Sequence, residues 1–319
     1  MQPMTAHPDG ILAIDAGYSR EGLAAIHIVI HRGRAAIIDS GTPESVPRIL
    51  AALQAAGVTP DCVDWVMLTH IHLDHAAGAG RLMQELPSAK LLVHPRGVRH
   101  MADPSRLWSA NAEVYGSDKV LALYGAPVSV RASRIVAAED GMTVSLAGRE
   151  FRVLDTPGHT RHHIALYDEF SRSCFVGDLF GVSYRELDSE GQVFVFPSTM
   201  PSEFDPEALH ESIDRVVALK LEAVYLGHFS RLVGVERAAS HLHRLIDAQI
   251  AIARAARGQR LARHVEILAG LEQLVRDELE RQNIEMPADD ALELLRMDLG
   301  MNALGLDVWL DRQVESAAA

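Results

Sequence analysis

The sequence predicts an α/β protein, with two packed sheets, helices outside them and a helical C-terminal part. Three observations lead there. Short apolar runs bounded by glycine and polar turns recur in two stretches, near residues 11–93 and 134–176, which makes two β-rich halves. Segments with helical apolar spacing fall between and after those runs, at 46–55, 76–86 and 206–219. From Gly234 onward helix-forming residues dominate.

Each element follows from this patterning. Residues 11–14, 24–30 and 35–38 read as strands, punctuated by Gly17, Gly33 and Gly41. The helix at 46–55 stops before Gly57 and Pro60, and a strand at 63–68 follows. A helix at 76–86 and a strand at 90–93 come next. Residues 96–124 form a largely helical insertion, interrupted at Pro104 and Gly116, that either packs on the body or covers a cleft. The second half supplies strands at 134–138, 142–146, 151–154, 163–167 and 173–176. Helices at 235–256, 261–280 and 289–297 end the chain, with Pro287 and Gly300 delimiting the last. The division expected is a domain over 11–230 and a helical subdomain over 231–319, where Leu268, Leu271, Leu274 and Val275 pack on another helix or on a second subunit. The second of these makes a homodimer.

Composition removes several function classes. With 319 residues, 48% hydrophobic and 23% charged, the chain buries a substantial core. Its net charge of -13 predicts no bulk attraction to nucleic acid. The first ten residues lack a basic segment followed by an apolar signal core, and no segment reads as a membrane span, so the cytoplasm is the default compartment. Cys62 and Cys174 define no disulfide framework, and Cys174 sits in an apolar run as a small core residue.

Chemistry concentrates in the run Thr69-His70-Ile71-His72-Leu73-Asp74-His75, straight after the strand at 63–68. Imidazoles and carboxylates are the nitrogen and oxygen donors that zinc and other first-row divalent metals accept. If strand geometry persists past Thr69, His70 and His72 point one way, while Asp74 and His75 need a bend to approach from another side. Two adjacent sites result. Three later motifs each place a donor just beyond an apolar strand: His159 at the tip of the Pro157-Gly158 turn, Asp178 after Gly177, and His228 after Gly227.

This pattern resembles the metallo-beta-lactamase fold superfamily, specifically its binuclear hydrolase branch with hydroxyacylglutathione hydrolases and lactonases. The resemblance covers residues 11–229 and implies a four-layer αββα sandwich with metal ligands on loops along one edge. It also implies that His70, His72 and His159 hold one metal, that Asp74, His75 and His228 hold the second, and that Asp178 bridges. Asp39 resembles the family's early supporting aspartate, bonded to a histidine ligand. One departure is expected. Where many relatives read His-Thr-Pro-Gly-His, this chain reads His159-Thr160-Arg161-His162-His163, so Arg161 and His162 replace the proline and glycine.

Two divalent ions, two carboxylates and one hydroxide leave roughly one positive unit among neutral histidines. That field favours attack by metal-bound hydroxide on a small thioester or carboxylic ester, with Asp74 and Asp178 as the catalytic carboxylates. Zinc is the first expectation, and iron or manganese suits the same donors. A lactonase, a small-molecule phosphodiesterase and a di-iron oxygen-binding or redox protein use the same ligands, so these readings stay open. Tyr184, Arg185, Phe194, Phe196, Met200 and Arg231 follow the last motifs and are candidates for a substrate entrance.

Overall fold

The computed structural model describes residues 4–189, 193–201, 203–258 and 261–318. Seven strands form one sheet in chain order: β1 (Met4–His7), β2 (Ile11–Asp15), β3 (Ala25–His31), β4 (Arg34–Ile38), β5 (Val63–Met67), β6 (Lys90–Val93) and β7 (Ile135–Ala137). The pairs from β1 to β4 are antiparallel and those from β4 to β7 are parallel. Parallel neighbours need crossover connections. Helix α1 (Val46–Ala55) makes the first, and α2 (Leu73–Ala76) with α3 (Ala79–Glu85) the second. The third contains α4 (Val98–Ala102), α5 (Ser105–Tyr115) and α6 (Ser117–Tyr124), with breaks at Pro104 and Gly116 as the sequence predicts.

The second sheet has six strands: β8 (Thr143–Leu146), β9 (Arg149–Asp155), β10 (Ile164–Asp168), β11 (Ser173–Val182), β12 (Ala223–His228) and β13 (Ser230–Leu232). The remaining helices are α7 (Pro206–Val217), α8 (Val235–Ala255), α9 (Leu261–Gln282), α10 (Ala288–Leu294) and α11 (Arg296–Ala318). Two sheets flanked by helices, with a helix-rich C-terminal region, match an αββα sandwich carrying a helical extension. No helix among the described residues is long and apolar enough to cross a membrane.

The two sheets share one core. Ala36, Ile38, Met67 and Leu92 of the first meet Phe151, Val153, Ile164, Leu166 and Phe175 of the second. The two-residue spacing in Ala36/Ile38, Phe151/Val153 and Ile164/Leu166 is the pleat turning one face of each strand inward. Each large apolar side chain buried there contributes roughly 1.5–3 kcal/mol. At the ends of β9 and β10, Arg149 forks onto the carboxylate of Asp168, with Nε–Oδ1 at 3.0 Å, and both side chains are fully buried.

Contacts cluster the chain into two units. One contains the segments ending at Thr156 and Gly177 and the stretch 220–233; the other contains 157–161, 178–219 and everything from Gly234. In the second unit, Ile267, Leu271 and Val275 form the buried stripe of α9. The buried carboxylate of Glu278 accepts from Arg244 of α8 at 2.7 Å and from Gln282 at 2.7 Å. Asn302 of α11 accepts from Thr199 N and donates to Pro197 O, both at 2.7 Å.

The structure differs from the sequence expectation in four places. The edge strands β1 and β13, of four and three residues, carry too little apolar pattern to be read. The helix expected over 76–86 is two helices broken at Gly78, where a Cβ would lie 2.6 Å from Thr42 O and 2.7 Å from Ser40 O. Gly300 does not end a helix: α10 stops at Leu294 and α11 runs through Gly300, where nothing crowds the missing side chain. Glycine inside a helix costs only about 1 kcal/mol relative to alanine, which neighbouring packing overrides. Finally, Asp178 and His228 stand within β11 and β12, so not every donor comes from a loop.

Candidate metal centre

β5 ends at Met67, and the chain then bends through Thr69 to His72 into α2. This bend, not a continued strand, separates the donors. His70 and His72 bring their rings edge to face with centroids 4.6 Å apart, while Asp74 and His75 follow on the single turn of α2. His75 meets His228, the last residue of β12, with Nε2 atoms 3.3 Å apart. Asp74 Oδ2 lies 3.5 Å from His75 Nε2 and 3.4 Å from His228 Nε2. His159 and Asp178 approach each other at 3.4 Å between Nε2 and Oδ2.

These side chains fall into two groups: His70, His72, His159 and Asp178 form one, and Asp74, His75 and His228 the other. Within each, one donor atom per residue lies within 4.8 Å of the rest. The groups are neighbours, since the His70 and His75 ring centroids are 4.2 Å apart. His70 and His159 have no exposed surface, and His75, Asp178 and His228 are nearly as buried.

Hydrogen bonding at the far ring nitrogens tests whether metal ions fit. His228 Nδ1 donates to Leu23 O at 2.8 Å and His159 Nδ1 to Ser198 O at 3.2 Å, and a carbonyl can only accept. His75 Nδ1 donates to Asp39 Oδ2 at 3.0 Å. Each of these rings therefore carries its proton on Nδ1 and turns the Nε2 lone pair toward the cluster. Bare lone pairs 3.3 Å apart repel, and a shared cation removes the repulsion. The spacing is also right: donors bound tetrahedrally with bonds of about 2.0–2.1 Å stand about 3.3 Å apart. The donor set fits a binuclear divalent-metal centre.

Asp39 is held in an unusual backbone conformation, with φ of 61°. For a residue with a Cβ this region costs roughly 1–2 kcal/mol. The conformation aims the carboxylate at three donors: Thr69 N at 2.8 Å, Thr69 Oγ1 at 3.0 Å, and the His75 ring. Gly177 has the opposite task of leaving room. Its φ is 46°, and a Cβ there would lie 2.6 Å from Thr69 Oγ1 and 2.7 Å from His163 Nε2.

The expected departure beside His159 needs correction. The proline and glycine of the family pattern are present as Pro157 and Gly158, immediately before His159. Gly158 has φ of 132°, and a Cβ would fall 2.3 Å from Leu209, so the turn demands glycine. The difference in this chain is Asp155 at the head of the motif, paired with His94 at 3.3 Å. Arg161 N donates to Glu203 at 3.0 Å, and His162 Nδ1 accepts from Ile71 N at 3.4 Å with its ring against His72.

The entrance candidates separate by burial. Tyr184 and Phe196 have no exposed surface; the Tyr184 hydroxyl donates to Asp298 at 3.0 Å, and Phe196 stacks on the equally buried Phe194. Arg185 donates to Ser183 O at 2.6 Å and pairs with Asp188 at 3.2 Å; burial pulls its guanidinium below the usual arginine range. Arg231 and Met200 are partly exposed. Sequence reasoning missed Thr69, His163 and the carbonyls of Leu23 and Ser198. A carbonyl that orients a ring leaves no sequence signal, because every residue has one.

Known proteins resemble this chain to different depths. A metallo-beta-lactamase fold-containing protein of Sulfurisphaera tokodaii is 26% identical over 230 residues, which span 71% of this chain and 80% of that protein. A hydroxyacylglutathione hydrolase of Xanthomonas campestris is 32% identical over 178 residues, 56% of this chain and 51% of the relative, so the match spans about half of that enzyme. The crystal structure of an archaeal superfamily member from Sulfolobus tokodaii superposes with a TM-score of 0.65 at 21% identity, covering 94% of this chain and 99% of the other. A family protein from Thermus thermophilus gives 0.63 at 20% identity, covering 95% and 94%. The family model for the metallo-beta-lactamase superfamily matches residues 20–228, a span that contains both donor groups, and the chain belongs to that superfamily.

Proposed function

We propose that this chain is a binuclear metal hydrolase acting on a small thioester or related carboxylic ester, with zinc as the preferred metal. The observation that carries the reading is the pair of adjacent donor groups with their Nε2 lone pairs turned inward. His70, His72 and His159 would hold one ion, Asp74, His75 and His228 the other, and Asp178 would bridge them. Bound there, two divalent cations supply a water nucleophile at neutral pH and stabilise the charge that grows on a carbonyl oxygen.

The protein's own residues do the rest. Asp39 fixes the tautomer and angle of His75, and the Leu23 and Ser198 carbonyls do the same for His228 and His159. Asp74, more exposed than Asp178, would align the attacking water and take its proton. The carbonyl carbon gains an oxygen, the bond to sulfur or alkoxy oxygen breaks, and carboxylate and thiol or alcohol leave. Tyr184, Arg185, Phe196 and Arg231 would contribute to the substrate pocket, the two arginines as cations for an anionic group. Residues 11–230 would form the catalytic domain and 231–319 the helical subdomain.

The test is parallel turnover of small thioesters, carboxylic esters, lactones and phosphodiesters by metal-free protein reloaded with zinc, iron or manganese. Thioester or ester turnover that disappears on chelation and in His72→Ala supports the reading. Turnover confined to phosphodiesters would replace it.

A further inference from the structure

We propose that His210 and His243 form a second, separate site for a divalent first-row transition-metal ion where α7 meets α8. The two helices carry the same spacing: His210 and Asp214 on α7, His243 and Asp247 on α8. Residues four apart lie on one helical face, so each helix presents a histidine and an aspartate to the other. The pairing is reciprocal. His210 Nε2 lies 3.3 Å from Asp247 Oδ1, and His243 Nε2 lies 3.0 Å from Asp214 Oδ1. The rings lie edge to edge, with centroids 4.8 Å apart, planes 14° from parallel and Nδ1 atoms 2.5 Å apart.

An ionised carboxylate only accepts, so both rings carry a proton on Nε2. Both Nδ1 lone pairs then point at each other, and at this separation something positive belongs between them. A carboxylate holding one nitrogen of a histidine while the other binds a metal is a recurrent arrangement. Tetrahedral binding with bonds of about 2.0–2.1 Å needs the nitrogens about 3.3 Å apart with their lone pairs converging on the ion, so the rings must part by about 1 Å and turn toward one side. They are free to do so. The histidine side chains are 26% and 28% exposed and the aspartates 74% and 73%, so small rotations cost little packing. The remaining positions go to water or to a swung carboxylate. Paired imidazoles select zinc, nickel or copper and disfavour calcium and magnesium, which prefer oxygen donors.

The site shares no residue with the donor groups above and does not depend on the hydrolase reading. Metal-free full-length protein is equilibrated with excess zinc chloride and its zinc content counted, in the wild type and in His243→Gln. The expected result is one zinc fewer in the variant, whatever number the main centre takes. Zinc-soaked crystals are expected to show an anomalous peak between His210 and His243 at the zinc edge. In Asp247→Asn, which keeps both imidazoles, zinc affinity at this site is expected to drop several-fold with the helix content unchanged. Equal zinc content in wild type and His243→Gln, or an anomalous map with no density between the rings, overturns the proposal.

Discussion

The His75/His228 pair and the His210/His243 pair use one chemistry in two settings. In both, two histidines present bare nitrogens to each other while their other nitrogens are held by acceptors. The first pair is nearly buried, its outer nitrogens fixed by Asp39 and the Leu23 carbonyl, and its inner nitrogens stand 3.3 Å apart. The second is partly exposed, held by two aspartates that are themselves mostly in solvent, and its nitrogens have closed to 2.5 Å. A buried, fully bonded surround holds donors at a metal's spacing, whereas a solvated one constrains them less. Preorganisation, more than ligand identity, separates a tight centre from an exchangeable one.

Four measurements would break or sharpen that contrast. The largest effect belongs to Asp178→Ala, which removes a donor from the buried group: turnover should fall on the order of a thousandfold with loss of bound metal. Full turnover in this variant would end the assigned centre. Next, Asp39→Asn leaves every ligand in place but weakens the hold on His75, and metal affinity in competition with a chelator should drop about 10–100-fold.

The third concerns burial and protonation at a histidine outside both sites. His27 is fully buried, with Nε2 3.4 Å from Ser230 Oγ, and burial pushes its pKa from 6.5 down to about 3. Between those values the unfolded chain takes up a proton that the folded chain refuses. Stability should therefore fall as pH falls from 6.5, by up to about 1.4 kcal/mol per pH unit, with no contribution above it. Urea melts at about pH 5 and 7 of wild type and His27→Leu check this: an identical pH dependence in both excludes His27 as the source. The smallest effect is expected from Asp214→Asn at the exposed pair, under tenfold in zinc affinity, because a mostly solvated carboxylate orients its partner weakly. A loss as large as that of Asp39→Asn would erase the distinction drawn from burial.

Legibility in the sequence followed the length of the signal. The helix at 46–55 and the strand at 90–93 were readable to the residue, since apolar spacing with glycine or proline punctuation defines both ends. Strands β1 and β13 were not, because three or four residues on a sheet edge need little apolar pattern. The candidate metal ligands were legible because histidine and aspartate are costly to cluster without a cation. Their grouping was not derivable from spacing alone, and nothing in the His-x3-Asp repeat at 210–214 and 243–247 signals that its two copies meet.

The sequence by itself determined the inventory: the alternating and helical apolar patterns that build two sheets and their helices, and the donors that make metal chemistry available. Only the tertiary structure decided which nitrogen of each ring faces its neighbours, through carbonyls and a carboxylate far away in the chain. It also decided that two matching surface motifs meet. Donor type is a property of a residue, but donor direction and spacing arise only when distant segments pack and each ring's proton has found its acceptor.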